Sequence, residues 1–122
     1  MAGNFNISVQ QQPNLPPTVG DNAVTATYGT NKIITAAMLT TDTTPPYTDP
    51  EGDNPYQLRV NTLPTTGKLQ LDGVDVVVNQ VINFTDIENN LFVYVPDNSV
   101  TNSYNINFEF DIADDGSFEF SS

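Results

Sequence analysis

Asp49, Glu51 and Asp53 alternate with Pro50 and Gly52 in the stretch TDPEGDNPY, residues 48–56, the densest run of carboxylates in the chain. Carboxylates at this spacing are what a calcium loop needs, because the ion takes about six to eight oxygens from carboxylates, carbonyls and water. The run begins like an EF-hand and then departs from it. Gly52 falls at loop position 4 instead of 6, and position 12 is Val60 where the bidentate Glu belongs. A β-sandwich can assemble a cation site from several loops instead. Asp86 and Glu88 lie in one later loop, and Asp114 and Asp115 in another. Should these meet Asp49, Glu51 and Asp53 at one end of the fold, mutual repulsion would demand a cation. The competing reading is plainer. Asp and Gly make good turns because the Asp side chain bonds its own backbone, and an acidic run is commonly a solvated face. The candidate metal ligands are therefore Asp49, Glu51, Asp53, Asp86, Asp114 and Asp115, and calcium is the one cofactor they suggest.

Other chemistries are excluded by what the chain lacks. It has no Cys, His or Trp. Without His, neither a Ser-His-Asp nor a Cys-His nucleophile can be built, and the many Ser and Thr hydroxyls have no base to activate them. A glycosidase pair would need two carboxyls facing each other across a substrate cleft, and this short chain has little room for one. There is no Gly-rich phosphate loop. The sequence is thus expected to be non-enzymatic. Lys and Arg number 3 against 15 acidic residues, for a net charge of −12. Nucleic acid and anionic membrane surfaces are excluded as partners by that balance. Proteins remain as partners, and carbohydrate is the other candidate, because tyrosines can stack on sugars or line interfaces. Of Tyr28, Tyr47, Tyr56, Tyr94 and Tyr104, Tyr47 in the TTPPY loop is expected to be the exposed contact residue, while Tyr94 and Tyr104 fit sheet packing.

The elements that must carry these residues are strands. VTATY (24–28), YQLRV (56–60), LFVYV (91–95) and YNINFEFDI (104–112) are β-branched, aromatic or alternating. The last of them has the clearest period of two, the mark of a half-buried strand. KIITAAML (32–39) begins as a strand and ends as one helical turn at Ala36–Leu39. A turn at Thr65–Gly67 opens the strand KLQL, and Asp72-Gly73 is a tight hairpin signal joining it to VDVVV (74–78). VINF (81–84) and FEF (118–120) are short strands. Gly67 and Gly73 stand where turns need positive φ. One stretch of 122 residues makes a single domain, and seven or eight short strands separated by turns make a sandwich. Residues 1–18 differ. FNISV alternates like a strand and QQQPNLPPT reads as an extended linker. This arm is expected either to stay unpaired or to add Phe5, Ile7 and Val9 to the sheet edge of a neighbour. The domain reading is an arm over 1–18 and a sandwich over 19–122.

Four blocks in order carry a family resemblance over about residues 19–120. They are Asp49, Gly52 and Asp53; then Leu63, Pro64, Gly67, Leu69, Leu71, Gly73 and Val76; then Phe84, Asp86, Ile87, Leu91, Tyr94 and Pro96; then Phe108, Phe110, Asp115 and Gly116. This pattern resembles a cadherin-like or VCBS-type immunoglobulin-like repeat, of the kind found in bacterial adhesins and phage virion proteins. The resemblance implies an all-β, immunoglobulin-like (cadherin-like) antiparallel β-sandwich of about seven strands with an extended N-terminal arm.

A single module that opens on Met1, with no basic or apolar leader, is expected to be made in the host cytoplasm as a structural component of a phage virion. A capsid decoration or fibre-like protein fits, docking on other virion proteins or on copies of itself. The alternatives are a cell-surface adhesion module rigidified by calcium, and a carbohydrate-binding module.

Overall fold

The computed structural model of the chain describes residues 2–8 and 15–115. Among them seven strands form two antiparallel sheets. The strands are β1 (Lys32–Ile33), β2 (Pro55–Val60), β3 (Lys68–Leu71), β4 (Val74–Asp75), β5 (Val81–Asn83), β6 (Phe92–Val95) and β7 (Phe110–Asp114), with short helices α1 (Ala36–Leu39) and α2 (Phe84–Glu88) between them. One sheet has the order β1-β6-β3-β4 and the other β5-β2-β7.

Local chemistry explains the best-defined pieces. Asp72 and Gly73 both take positive φ, 50° and 80°. A two-residue hairpin loop needs this if the strand twist is to continue, and Leu71 pairs Val74 directly across it. Gly67 sits at φ 73° with Val95 O only 2.6 Å from where a Cβ would lie, so no side chain fits. Thr35 caps α1 by accepting a hydrogen bond from Met38 N on its hydroxyl.

The core lies between the sheets. Leu58, Val60, Ile82 and Ile112 of one sheet and Leu69, Phe92 and Tyr94 of the other belong to a single buried cluster, closed by Ile34, Leu39, Phe84 and Ile87. The ladder β2–β7 is the longest, with Leu58 opposite Ile112 and Val60 opposite Phe110. Its register shifts between Pro55 and Gln57. Such a bulge sits naturally beside a proline, which has no N–H to give to a ladder.

Several expected strands are not formed. Residues 24–27 and the described part of the arm, 5–8, belong to no strand, and Tyr28 lies in a turn closed by a hydrogen bond from Thr30 N to Thr27 O. VDVVV is a strand only at Val74–Asp75, and YNINFEFDI only from Phe110. In the latter segment the burial still alternates: Tyr104, Ile106 and Phe108 lean on the core while Asn105, Asn107 and Glu109 are exposed. The segment after β5 is a helix, α2, and not a loop. The strand expected at 118–120 lies outside the described residues.

The arm's base is part of the sandwich. Thr18 and Thr48 exchange backbone hydrogen bonds of 2.8 and 2.9 Å, Gly20 N donates to Pro45 O, and Asp21 and Thr44 exchange another pair. Pro17 is fully buried. Residues 18–21 therefore run antiparallel to the loop strip 44–48, next to the acidic stretch.

Candidate metal centre

The acidic stretch folds as a turn around Asp49. One carboxylate oxygen, Asp49 Oδ1, accepts from the backbone N–H of Glu51 (2.9 Å) and of Asp53 (3.1 Å). Gly52 N donates to Asp49 O, with Gly52 at φ 76°. The side chain thus closes its own loop, as Asp does in turns. This leaves Asp49 Oδ2 for something else.

Asp114 supplies the neighbour. It follows Ala113 at the end of β7, is fully buried, and lies opposite Pro55 across the bulged end of the β2–β7 ladder. This register delivers its carboxylate to the turn. One oxygen from each of Asp49, Glu51, Asp53 and Asp114 lies within 4.8 Å of all the others. With Ca–O distances of about 2.3–2.6 Å, ligands on opposite sides of the ion stand about 5 Å apart, so a set this tight can close around one calcium ion.

Two oxygens of the group are stranded. Asp49 Oδ2 and Glu51 Oε2 are shielded from solvent and receive no hydrogen bond from an N–H or hydroxyl donor among the described residues. Buried acceptors are almost always satisfied, and a buried carboxylate needs a counter-charge or a proton. Arg59 pairs with Asp111 (2.7 Å) and Lys68 with Asp75 (3.5 Å), and neither pair includes Asp49 or Glu51. Burial lifts the Asp49 carboxyl above its ordinary 3.8, and a hydrogen bond with Asp114 adds to the rise, partly offset by the N–H groups of Asp53 and Glu51. Asp53 is also raised, by burial and then by Asp114, Asp115 and Glu51. The cluster therefore has two ways to relieve its repulsion, a proton shared between Asp49 and Asp114 or a divalent ion.

The remaining candidates are placed elsewhere. Asp115 is exposed and clasps Asn54, its N–H donating to Asn54 O and its Oδ1 accepting from Asn54 N. It braces the site and is not one of the four converging carboxylates. Asp86 lies in the first turn of α2 and is likewise not one of them.

Tyr47 needs a correction. It is not the exposed loop residue expected, because the loop curls back onto the sandwich. Its ring packs against the core and its hydroxyl donates to Asp53 O at 3.0 Å. Burial, reinforced by the charges of Asp49 and Asp114, pushes its ionisation upward. Tyr47 thus supports the acidic turn from below, a role for which its sequence position gave no signal. Phe5 and Ile7 are 89% and 75% exposed. Val9 lies outside the described residues.

A second concavity, of about 430 Å³, opens between residues 24–28 and 96–108. Tyr94 and Tyr104 share a hydroxyl–hydroxyl hydrogen bond of 2.9 Å at its floor, and Tyr94 also donates to Thr66 O. Both tyrosines are packing residues whose hydroxyls are held within the protein, by each other and by Thr66 O. Tyr28 is 60% exposed, its hydroxyl donating to Asn98 O. This cleft is where the carbohydrate alternative would have to be tested.

No family model, curated protein or solved structure matches the chain.

Proposed function

We propose that the protein is a non-enzymatic structural module, an immunoglobulin-like sandwich of the cadherin-like kind whose acidic end is clamped by one calcium ion. The observation that supports this best is the convergence of Asp49, Glu51, Asp53 and Asp114 with two of their oxygens buried and undonated. In this reading Asp49 and Glu51 fix the turn, Asp114 carries the end of β7, and the ion ties the two together. The clamp stiffens one end of the sandwich and leaves chemistry to other proteins, in keeping with a sequence free of His and Cys.

Native mass spectrometry of metal-stripped protein, then of protein in millimolar calcium, tests the clamp. One added calcium is expected, lost in Asp114→Asn and in Glu51→Gln and kept in Asp86→Asn. The half-exposed Glu51 guards against misreading a folding failure of the buried Asp114 variant. Protein that takes up no calcium, or takes it up equally in all three variants, would sink the proposal.

The exposure of Phe5 and Ile7 favours a second part of the reading, attachment through the arm. In it the module is a virion component that docks on other virion proteins or on copies of itself. A calcium-rigidified adhesion module at a cell surface is the alternative setting. Purified particles lacking the protein would count against the virion.

A further inference from the structure

The cleft between residues 24–28 and 96–108 gathers neutral polar side chains that the fold itself does not use. Thr25, Thr101, Asn102, Ser103 and Asn105 line it, and all five are exposed. Among the described residues none of these side chains has a hydrogen-bond partner within the protein. Elsewhere the same residue types are engaged internally. Asn61 Nδ2 donates to Asp111 Oδ2, Asn83 Oδ1 accepts from Gln57, and the hydroxyls of Thr40 and Thr43 donate to backbone carbonyls. A ligand that displaces water from the cleft must therefore offer both donors and acceptors, because hydroxyl and amide groups carry both.

Tyr28 adds a surface of another kind. Its ring stays 60% exposed while its hydroxyl donates to Asn98 O at 3.0 Å. That bond joins the two segments bounding the cleft and fixes the ring without burying it. Ile106 and Phe108, which pack against the core, contribute apolar lining. Charge is balanced here although the chain carries −12. Among the described residues the ionised side chains lining the cleft are Lys32 and Asp97, and Asp97 Oδ1 already accepts from Ser99 N and Oγ. Lys32 alone cannot draw an acidic ligand to so negative a chain, and Asp97 alone cannot hold a metal ion.

A neutral sugar meets all of these conditions. Its hydroxyls donate and accept, its ring faces can lie on a tyrosine, and it needs no counter-charge. The cleft's volume of about 430 Å³ falls within the range of small-ligand sites. An added peptide strand bonds best along a strand edge, and residues 24–27 and 101–109 belong to no strand. We infer that this cleft is a saccharide-binding site, with a neutral sugar ring laid on Tyr28 and its hydroxyls bonded by Asn102, Ser103 and Asn105. None of Asp49, Glu51, Asp53 and Asp114 lines it, so the site is separate from the metal centre and stands apart from the calcium reading.

Titration calorimetry of the full chain tests it, against neutral oligosaccharides of glucose, mannose, galactose and N-acetylglucosamine, with oligogalacturonate as the charged comparison. Binding of at least one neutral set is expected at roughly millimolar sugar or below, and equally with and without calcium. Tyr28→Ala and Asn105→Ala are each expected to weaken it about tenfold. Phe5→Ala, which removes an exposed ring outside the cleft, is expected to leave it unchanged. The Asn105 side chain has no internal bond to lose, so its variant separates a lost contact from lost folding. Failure of every neutral oligosaccharide to bind overturns the proposal. Binding that survives both cleft variants, or that falls equally in Phe5→Ala, overturns the cleft as the site. Binding of oligogalacturonate alone overturns the neutral class of ligand.

Discussion

Asp49 divides its two oxygens between structure and site: Oδ1 holds the turn, and Oδ2 is shielded from solvent and takes no hydrogen bond from an N–H or hydroxyl donor among the described residues. A pH dependence with a defined sign follows. The carboxyls of Asp49 and Asp53 are raised above 3.8, so in metal-free protein their contribution to stability is fully present below that value and is lost as pH rises through the folded values. Asp75 and Asp97 are held below 3.8, by the Gln70 amide with Lys68 and by Ser99 respectively. Their contribution is present above 3.8 and is lost as pH falls through the folded values. Metal-free protein should therefore gain stability on mild acidification from neutral pH and lose it again in strong acid. Calcium favours the ionised cluster, so calcium-loaded protein should lose stability on the same mild acidification. Urea melts at several pH values, with and without calcium, check this, and parallel slopes would contradict it. The D-x-E-x-D spacing was legible in the sequence. Asp114 could be named there only as a candidate, because its place depends on the register of β2 against β7 across nearly half the chain.

At the scale of the elements, the positions most tightly constrained are those where backbone conformation and packing coincide. Gly67→Ala forces a side chain into a positive-φ position and against Tyr94 Oη and Val95 O. The loss expected is about 1–3 kcal/mol, the usual cost of holding a residue in such backbone conformations, measured as a shift in the urea midpoint. Leu58→Ala in the centre of β2 empties a fully buried site and should cost about 2–5 kcal/mol. The hairpin at Asp72-Gly73 was readable because its turn type demands particular residues. The helix α2 was not, since Phe84 and Ile87 occupy a single turn, too short to show a helical period. The alternation over 104–109 suggests a strand, and the segment is instead outside the ladders with alternating burial, tied to the sheet at Glu109, whose backbone bonds Asn61 and Thr62. Alternation reports which side chains face the core; backbone pairing also needs a partner strand alongside, which one segment's sequence does not reveal.

At the scale of the whole molecule, the proposed calcium clamp stabilises the folded chain only to the extent that the folded state binds the ion better. At a free concentration a hundredfold above Kd the gain is about 2.7 kcal/mol. A calcium-dependent rise in Tm that is absent in Glu51→Gln checks this. Two-sheet architecture was legible from strand number and turn spacing, whereas the sheet order was not, because β1 pairs β6 and β2 pairs β7 across long separations. Glu51 connects this scale back to the arm. Its Oε1 accepts from Leu15 N at 2.6 Å while its Oε2 is buried without a donor among the described residues, and the pairs Thr18–Thr48, Gly20–Pro45 and Asp21–Thr44 continue the attachment. Those bonds lie in series along the strip, so a load on the N-terminus meets them one at a time, as a zipper does, before it reaches β1. The sandwich is thereby fitted with a mechanical fuse. A single-molecule pull from the N-terminus should show a low-force step, releasing on the order of 50 Å of chain at about 3.3–3.6 Å per residue, ahead of the rupture of the sheets. Calcium, by immobilising Glu51, should raise the force of that first step and leave the second unchanged.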